Sequence, residues 1–108
     1  MSEPVLSPDD VDAALAEQGL AWERRGDELV TTVELRDFAG ALAFVNAVGA
    51  AAEAANHHPD IDIRWNTVRL VLTTHDSGGL TLLDLALAGV VDRLRPDIRD
   101  DDHAADGA

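Results

Sequence analysis

Residues 28–35 alternate with a two-residue period: Leu29, Val33 and Leu35 share one phase, and Val30, Thr32 and Glu34 take the other. Such alternation belongs to a strand with one buried face. Residues 20–25 precede it across Gly26-Asp27, a pair suited to a tight turn, so the two segments predict a hairpin. A second alternating pair comes later. Ile61-Asp62-Ile63-Arg64-Trp65 reads as a third strand, Asn66-Thr67 as a tight connection and residues 68–74 as a fourth strand. In the fourth, Val68, Leu70 and Leu72 share a phase that Thr74 continues, while Arg69, Val71, Thr73 and His75 take the opposite one.

Helical periods surround these hairpins. Ser7-Pro8-Asp9-Asp10 combines a cap, a proline at the first helical position and acids in the first turn. Val11, Ala14 and Leu15 give that helix an apolar side, and Gly19 ends it. Asp37 can cap a second helix running to about Ala55, with Phe38, Leu42, Val45, Val48 and Ala52 on its apolar side. Asp76-Ser77-Gly78-Gly79 is a turn, and Thr81 caps a third helix through about Leu94, stopped by Pro96. The order α-β-β-α-β-β-α predicts an α+β fold, a four-stranded antiparallel sheet with three helices on one face. Residues 1–96 read as a single domain without linker or repeat.

Composition narrows the function classes. The 108 residues are 46% hydrophobic but only 4% aromatic, so Ala, Val and Leu must fill a thin core, the kind that gains from self-association. A net charge of −13, with arginine but no lysine, argues against nucleic acid and against anionic membranes as partners. Residues 97–108 hold five aspartates and one arginine and are expected to stay solvated and disordered. Without cysteine there are no disulfides and no thiolate metal sites. No apolar stretch is expected to span a bilayer, and Met1-Ser2-Glu3-Pro4 lacks the pattern of a secretory signal, so a cytoplasmic location is the expectation.

The chemistry concentrates in histidine. His57-His58-Pro59 follows the second helix, and His75 lies at the end of the fourth strand. The hairpin turning near Trp65 carries that strand end back toward the histidine pair. Three imidazoles converging there can both donate and accept protons near neutral pH. A zinc site is the competing use of imidazole, but adjacent histidines point apart in extended backbone and Glu53 is the one nearby carboxylate at suggestive spacing. An acid at a helix C-terminus is electrostatically unfavourable, which makes Glu53 a candidate for more than a solvated charge. Asp84 in Thr81-Leu82-Leu83-Asp84 fits both a capping role and a functional one.

The set Ala52-Glu53, His57-His58-Pro59, Trp65-Asn66, Val68, Leu72, Thr74-His75, Gly79-Leu80-Thr81, Asp84 and Ala88 resembles the signature of pterin-4a-carbinolamine dehydratases. Trp22, Gly26, Leu29, Asp37-Phe38, Ala41 and Phe44 fit the same pattern, so the resemblance spans roughly residues 20–94. It implies loss of water from 4a-hydroxytetrahydropterin to give quinonoid dihydropterin, and assembly as a homodimer or homotetramer; neither a cofactor nor a metal is expected. It further implies that His57 and His75 move protons and that His58 holds and polarises the pterin. Glu53 and Asp84 would orient imidazoles or bind ring nitrogens. Pro59, Thr74, Asp76 and Ser77 would lie against the ring, with Trp65 as an aromatic wall where many relatives carry tyrosine. Ala54 and Leu83 replace basic residues of animal relatives. The resemblance also implies an alternative, since some relatives act as protein-binding modules: dimerisation cofactors of a homeodomain transcription factor, or aids to Rubisco assembly.

Overall fold

The elements follow the predicted order: α1 (Pro8–Gln18), β1 (Glu23–Arg25), β2 (Glu28–Glu34), α2 (Phe38–Ala55), β3 (Asp60–Arg64), β4 (Thr67–Leu72) and α3 (Leu82–Leu94). This computed structural model describes residues 3–96. The acidic tail expected to be disordered, residues 97–108, lies outside the described residues.

The four strands form one antiparallel sheet in the order β1-β2-β4-β3. Its centre is the β2–β4 ladder, in register from Leu29↔Leu72 to Glu34↔Thr67. That register puts the two apolar phases on one face, where Leu29, Val33, Val68, Leu70 and Leu72 are buried in a single cluster with the helices. Each such side chain stabilises the fold by about 1.5–3 kcal/mol through burial. The start of β3 and the end of β4 meet at one sheet end, where Asp60 pairs with Val71.

Side-chain chemistry sets the helix ends. Ser7 Oγ accepts from the Asp10 N–H at 3.1 Å, and Asp37 Oδ1 from the Gly40 N–H at 2.7 Å. Thr81 and Asp84 form a reciprocal capping box on α3. Between elements, Arg24 of β1 bonds Asp12 of α1 through Nε at 2.8 Å, and this hydrogen bond holds the Asp12 carboxyl below its ordinary range.

Several boundaries differ from expectation. β1 begins at Glu23 and not at residue 20, because the preceding stretch is drawn to α3 instead of the ladder. The Asp92 carboxylate accepts from the Ala21 N–H at 2.8 Å and from Trp22 Nε1–H at 2.9 Å. β4 stops at Leu72, and Thr74 makes only an isolated bridge to Gly79. The β3–β4 turn is Trp65-Asn66, not Asn66-Thr67, with Trp65 in left-handed backbone at φ 56°. Asn66 Nδ2 fixes it by donating to the Leu35 carbonyl at 2.9 Å.

The buried side of α2 is also corrected. Ala41, Phe44, Val48 and Ala52 form it, whereas Phe38 and Leu42 flank the stripe at 45% and 41% exposure. Alanine allows close approach to the sheet, and Phe38 instead stacks on Trp65, with ring centroids 6.4 Å apart and planes 8° from parallel. Contrary to expectation, α2 is long and apolar enough to cross a membrane by length and composition, at a mean hydropathy of 1.5 over 18 residues. Half of it is alanine, and its buried stripe packs into the core described above.

Candidate active site

His57 owes its position to the end of α2. Asn56 caps the helix in left-handed backbone, φ 51° and ψ 42°, a conformation asparagine tolerates well. The His57 N–H then returns to the Ala52 carbonyl at 3.1 Å. This closure turns the imidazole toward the N-terminus of α3, where Nε2 lies 2.6 Å from Asp84 Oδ1.

Asp84 is fully buried, and each of its oxygens is engaged. Oδ2 accepts from the Thr81 N–H at 2.9 Å and from the Thr74 hydroxyl at 2.7 Å, while Oδ1 faces His57. The first turn of a helix favours a negative charge at this point. With the carboxylate accepting on both oxygens, His57 carries its hydrogen on Nε2 and leaves Nδ1 as the nitrogen able to accept a proton. Cap and functional partner are therefore one residue.

His58 pairs with Glu53 through Nε2, and both side chains are largely exposed. The contact gives the helix-end acid a partner one turn further along the chain. His75 is exposed on the short loop after β4, which is folded tightly on itself: the Thr74 carbonyl accepts from the N–H groups of Ser77 and Gly78 at 3.1 and 3.0 Å. Gly78 takes φ 79° there, a turn that suits glycine.

His57, His58 and His75 line one open concavity of about 240 Å³, together with Asn56, Thr73, Thr74 and Asp76. A larger groove of about 620 Å³, lined by Leu35, Ala43, Phe44 and Leu94 among others, contains no histidine. Among the described residues, imidazoles converge only on the smaller one, which makes it the candidate site for proton transfer.

Not every anticipated residue joins this wall. Glu53 and Asp84 stand behind it, each holding one imidazole. Half-buried Pro59 follows the histidine pair. The Ser77 hydroxyl is engaged with the Glu3 carbonyl at 2.6 Å. Trp65 sits in the turn at the far end of the β3–β4 hairpin, so a single chain does not bring it to the histidines. Asn56, Thr73 and Thr81 were not anticipated. For Asn56 the signal was an αL-tolerant residue directly after a helix; for Thr81 its cap was legible but its link to the site was not. Among the described residues, no three His, Asp or Glu side chains are grouped to hold a metal ion.

An N-terminal strap completes the surroundings. The Leu6 N–H donates to the Leu80 carbonyl at 2.8 Å, and Val5 lies so close to Gly79 that a β-carbon there would sit 2.9 Å from Val5 Cγ1.

Residues 4–94 match the family model described as pterin 4 alpha carbinolamine dehydratase. A protein of Chloroflexus aurantiacus named "Putative pterin-4-alpha-carbinolamine dehydratase" is 50% identical over 91 residues, covering 84% of this chain and 97% of the relative. A protein of the same name from Thermosynechococcus vestitus is 48% identical over 89 residues, covering 82% and 93%. Among solved structures, a transcriptional coactivator/pterin dehydratase from Brucella melitensis superposes with a TM-score of 0.79 at 25% identity, over 85% of this chain and 99% of that one. A pterin dehydratase-like protein identified as a RuBisCO assembly factor in the alpha-carboxysome shares the fold, with a TM-score of 0.57 at 24% identity over 69% and 87%.

Proposed function

The chain belongs to the pterin 4 alpha carbinolamine dehydratase family, and from that premise we propose that it dehydrates 4a-hydroxytetrahydropterin to quinonoid dihydropterin. The observation that carries this reading is the convergence of His57, His58 and His75 on one concavity, with His57 tethered to a buried carboxylate.

The reaction breaks the C4a–O bond, forms the C4a=N5 double bond and releases water. One imidazolium gives its proton to the departing hydroxyl, and one neutral imidazole removes the proton from N5, so the site returns to its starting charge. His57 and His75 are the two proton carriers in this proposal, and His58 holds and polarises the ring. Such groups contribute about 10²–10⁴-fold each, enough for a substrate whose own N5 lone pair already assists departure of the hydroxyl. The flat bicyclic ring suits an open concavity that reaches both histidine segments. Neither a metal nor a cofactor takes part, and the protein acts in the cytoplasm as a homodimer or homotetramer.

The deciding experiment mixes the purified chain with freshly generated 4a-hydroxytetrahydropterin and follows the ultraviolet absorbance of the product. Acceleration over the uncatalysed rate, lost in a His57→Ala/His75→Ala double variant, supports the proposal; a rate equal to buffer overturns it. A second reading, a protein-binding role, is favoured by the exposed Phe38–Trp65 stack. In that case Trp65→Ala would abolish a complex while leaving dehydration intact.

A further inference from the structure

Thr74 stands between two of the three histidines. It precedes His75 in the chain, and its side chain, only 6% exposed, points into the interior. Its hydroxyl donates to Asp84 Oδ2 at 2.7 Å and lies 2.9 Å from Thr81 Oγ1.

A proton count fixes the direction of each bond. A threonine hydroxyl has one proton. Thr74 gives its proton to Asp84, so the Thr81 hydroxyl must donate to Thr74 Oγ1, while Thr81 Oγ1 accepts from the Leu83 N–H at 3.2 Å. With the Thr81 N–H also on Oδ2, that oxygen has two donors and Oδ1 is left for His57. The chain of contacts runs from Thr81 through Thr74 and Asp84 to Nε2 of His57.

We infer that Thr74 is a positioning residue for the acid–base site. Its hydroxyl sets the rotation of the Asp84 carboxylate, which in turn selects the Nε2–H tautomer of His57. Its backbone carbonyl also closes the loop of His75, so one residue adjoins both proton carriers. A residue that only filled space would need the methyl group of Thr74; this role needs the hydroxyl. The inference rests on the dehydratase reading for its effect on rate, but its effect on His57 exists without substrate.

The test is a donor series at position 74, read by ¹⁵N shifts of the His57 ring nitrogens and by steady-state dehydration. Thr74→Val keeps the shape and removes the donor, Thr74→Ser keeps the donor, and Thr74→Cys keeps a weak donor. The titratable groups near His57 are Asp84 from α3, His58 with its partner Glu53 around the end of α2, and His75 and Asp76 from the loop, all unchanged across the series. In Thr74→Val the Nδ1–H tautomer should become appreciably populated and kcat should fall about tenfold, the scale of one hydrogen bond to a charged group. KM should stay within about twofold, since no substrate contact is removed. Thr74→Ser should restore both readouts, and Thr74→Cys should fall between. A Thr74→Val protein with wild-type His57 shifts and rate overturns the inference, as does a series whose rates track melting temperature instead of donor strength. If Thr74→Val does not fold, the serine and cysteine variants decide: cysteine equal to serine in both readouts overturns it. Absence of dehydration by the unmodified chain would remove the functional reading, while the shifts would still decide the role of Thr74.

Discussion

Nε2 of His57 lies 2.6 Å from Oδ1 of Asp84, a carboxylate with no exposed surface, contributed by a helix 27 residues further along the chain. The contact joins an open concavity at the surface to the buried capping box in the first turn of α3. It also gives the sharpest expectations about substitution.

Asp84→Asn should damage activity more than stability. The asparagine oxygen is needed by Thr74 and Thr81, so its NH₂ group must face His57 and force the opposite tautomer. Activity should fall by about a hundredfold or more, with a melting curve close to wild type. Asp84→Ala strands two buried donors and should also cost about 2–4 kcal/mol. Dehydration kinetics and thermal denaturation separate the two variants.

The two proposed proton carriers should differ when each is replaced by alanine. His75 is exposed, so His75→Ala should lower the rate by about ten- to a thousandfold with an unchanged melt. His57→Ala should lower the rate similarly and also destabilise by about 1–3 kcal/mol, because Asp84 loses a partner inside the protein. Full activity in both variants would sink the assignment.

Glu53→Gln is the contrasting case. Its pair with His58 is largely exposed, with side chains 78% and 53% accessible, and exposed pairs contribute about 0–1 kcal/mol. The melt should not move measurably, and any change should be confined to KM. A kcat loss as large as that of Asp84→Asn would mean that the outer pair matters as much as the inner one.

How much of this was legible in the sequence varies with the kind of interaction. Helix starts at Ser7, Asp37 and Thr81 could be read because a cap is a local event within four residues. The hairpins could be read from alternation, and they in turn bring His75 toward His57. The α2 face was misread because a large apolar residue counts for more in a periodic pattern than alanine does. Phe38 and Leu42 therefore outweighed Ala41 and Ala52, which the fold actually buries. Trp65 was placed with the pterin by resemblance, but its left-handed turn lies at the other end of β3. The Thr81–Asp84 cap is legible, but its extension to Thr74 and His57 is not, since that depends on where β4 ends relative to α3.

Asp92→Ala should weaken the fold without touching the site. The Asp92 carboxylate accepts from the Ala21 N–H, Trp22 Nε1–H and Arg95 Nε–H, the last at 2.7 Å. Removing it leaves the buried Trp22 indole N–H without its acceptor, at a cost of about 1–3 kcal/mol. Urea unfolding should show the loss, and the His57 ring nitrogens should keep their shifts.

Gly79→Ala should cost about 1 kcal/mol through its collision with Val5, and Val5→Ala should recover most of it in the double variant. Additive losses would show that the strap does not touch the His75 loop in solution.

The two tryptophans, in a chain without tyrosine, occupy opposite environments: Trp22 is 7% exposed with its indole N–H on Asp92, and Trp65 is 67% exposed against Phe38. Indole emission moves to longer wavelength where surrounding water dipoles can reorient around the excited ring. The intrinsic fluorescence should therefore contain a blue component shielded from acrylamide and a red one open to it. The first reports the seam between α3 and the lead into β1, and the second reports the β3–β4 turn against the start of α2. A single spectrum, resolved by quenching, thus follows these two seams separately and without a label.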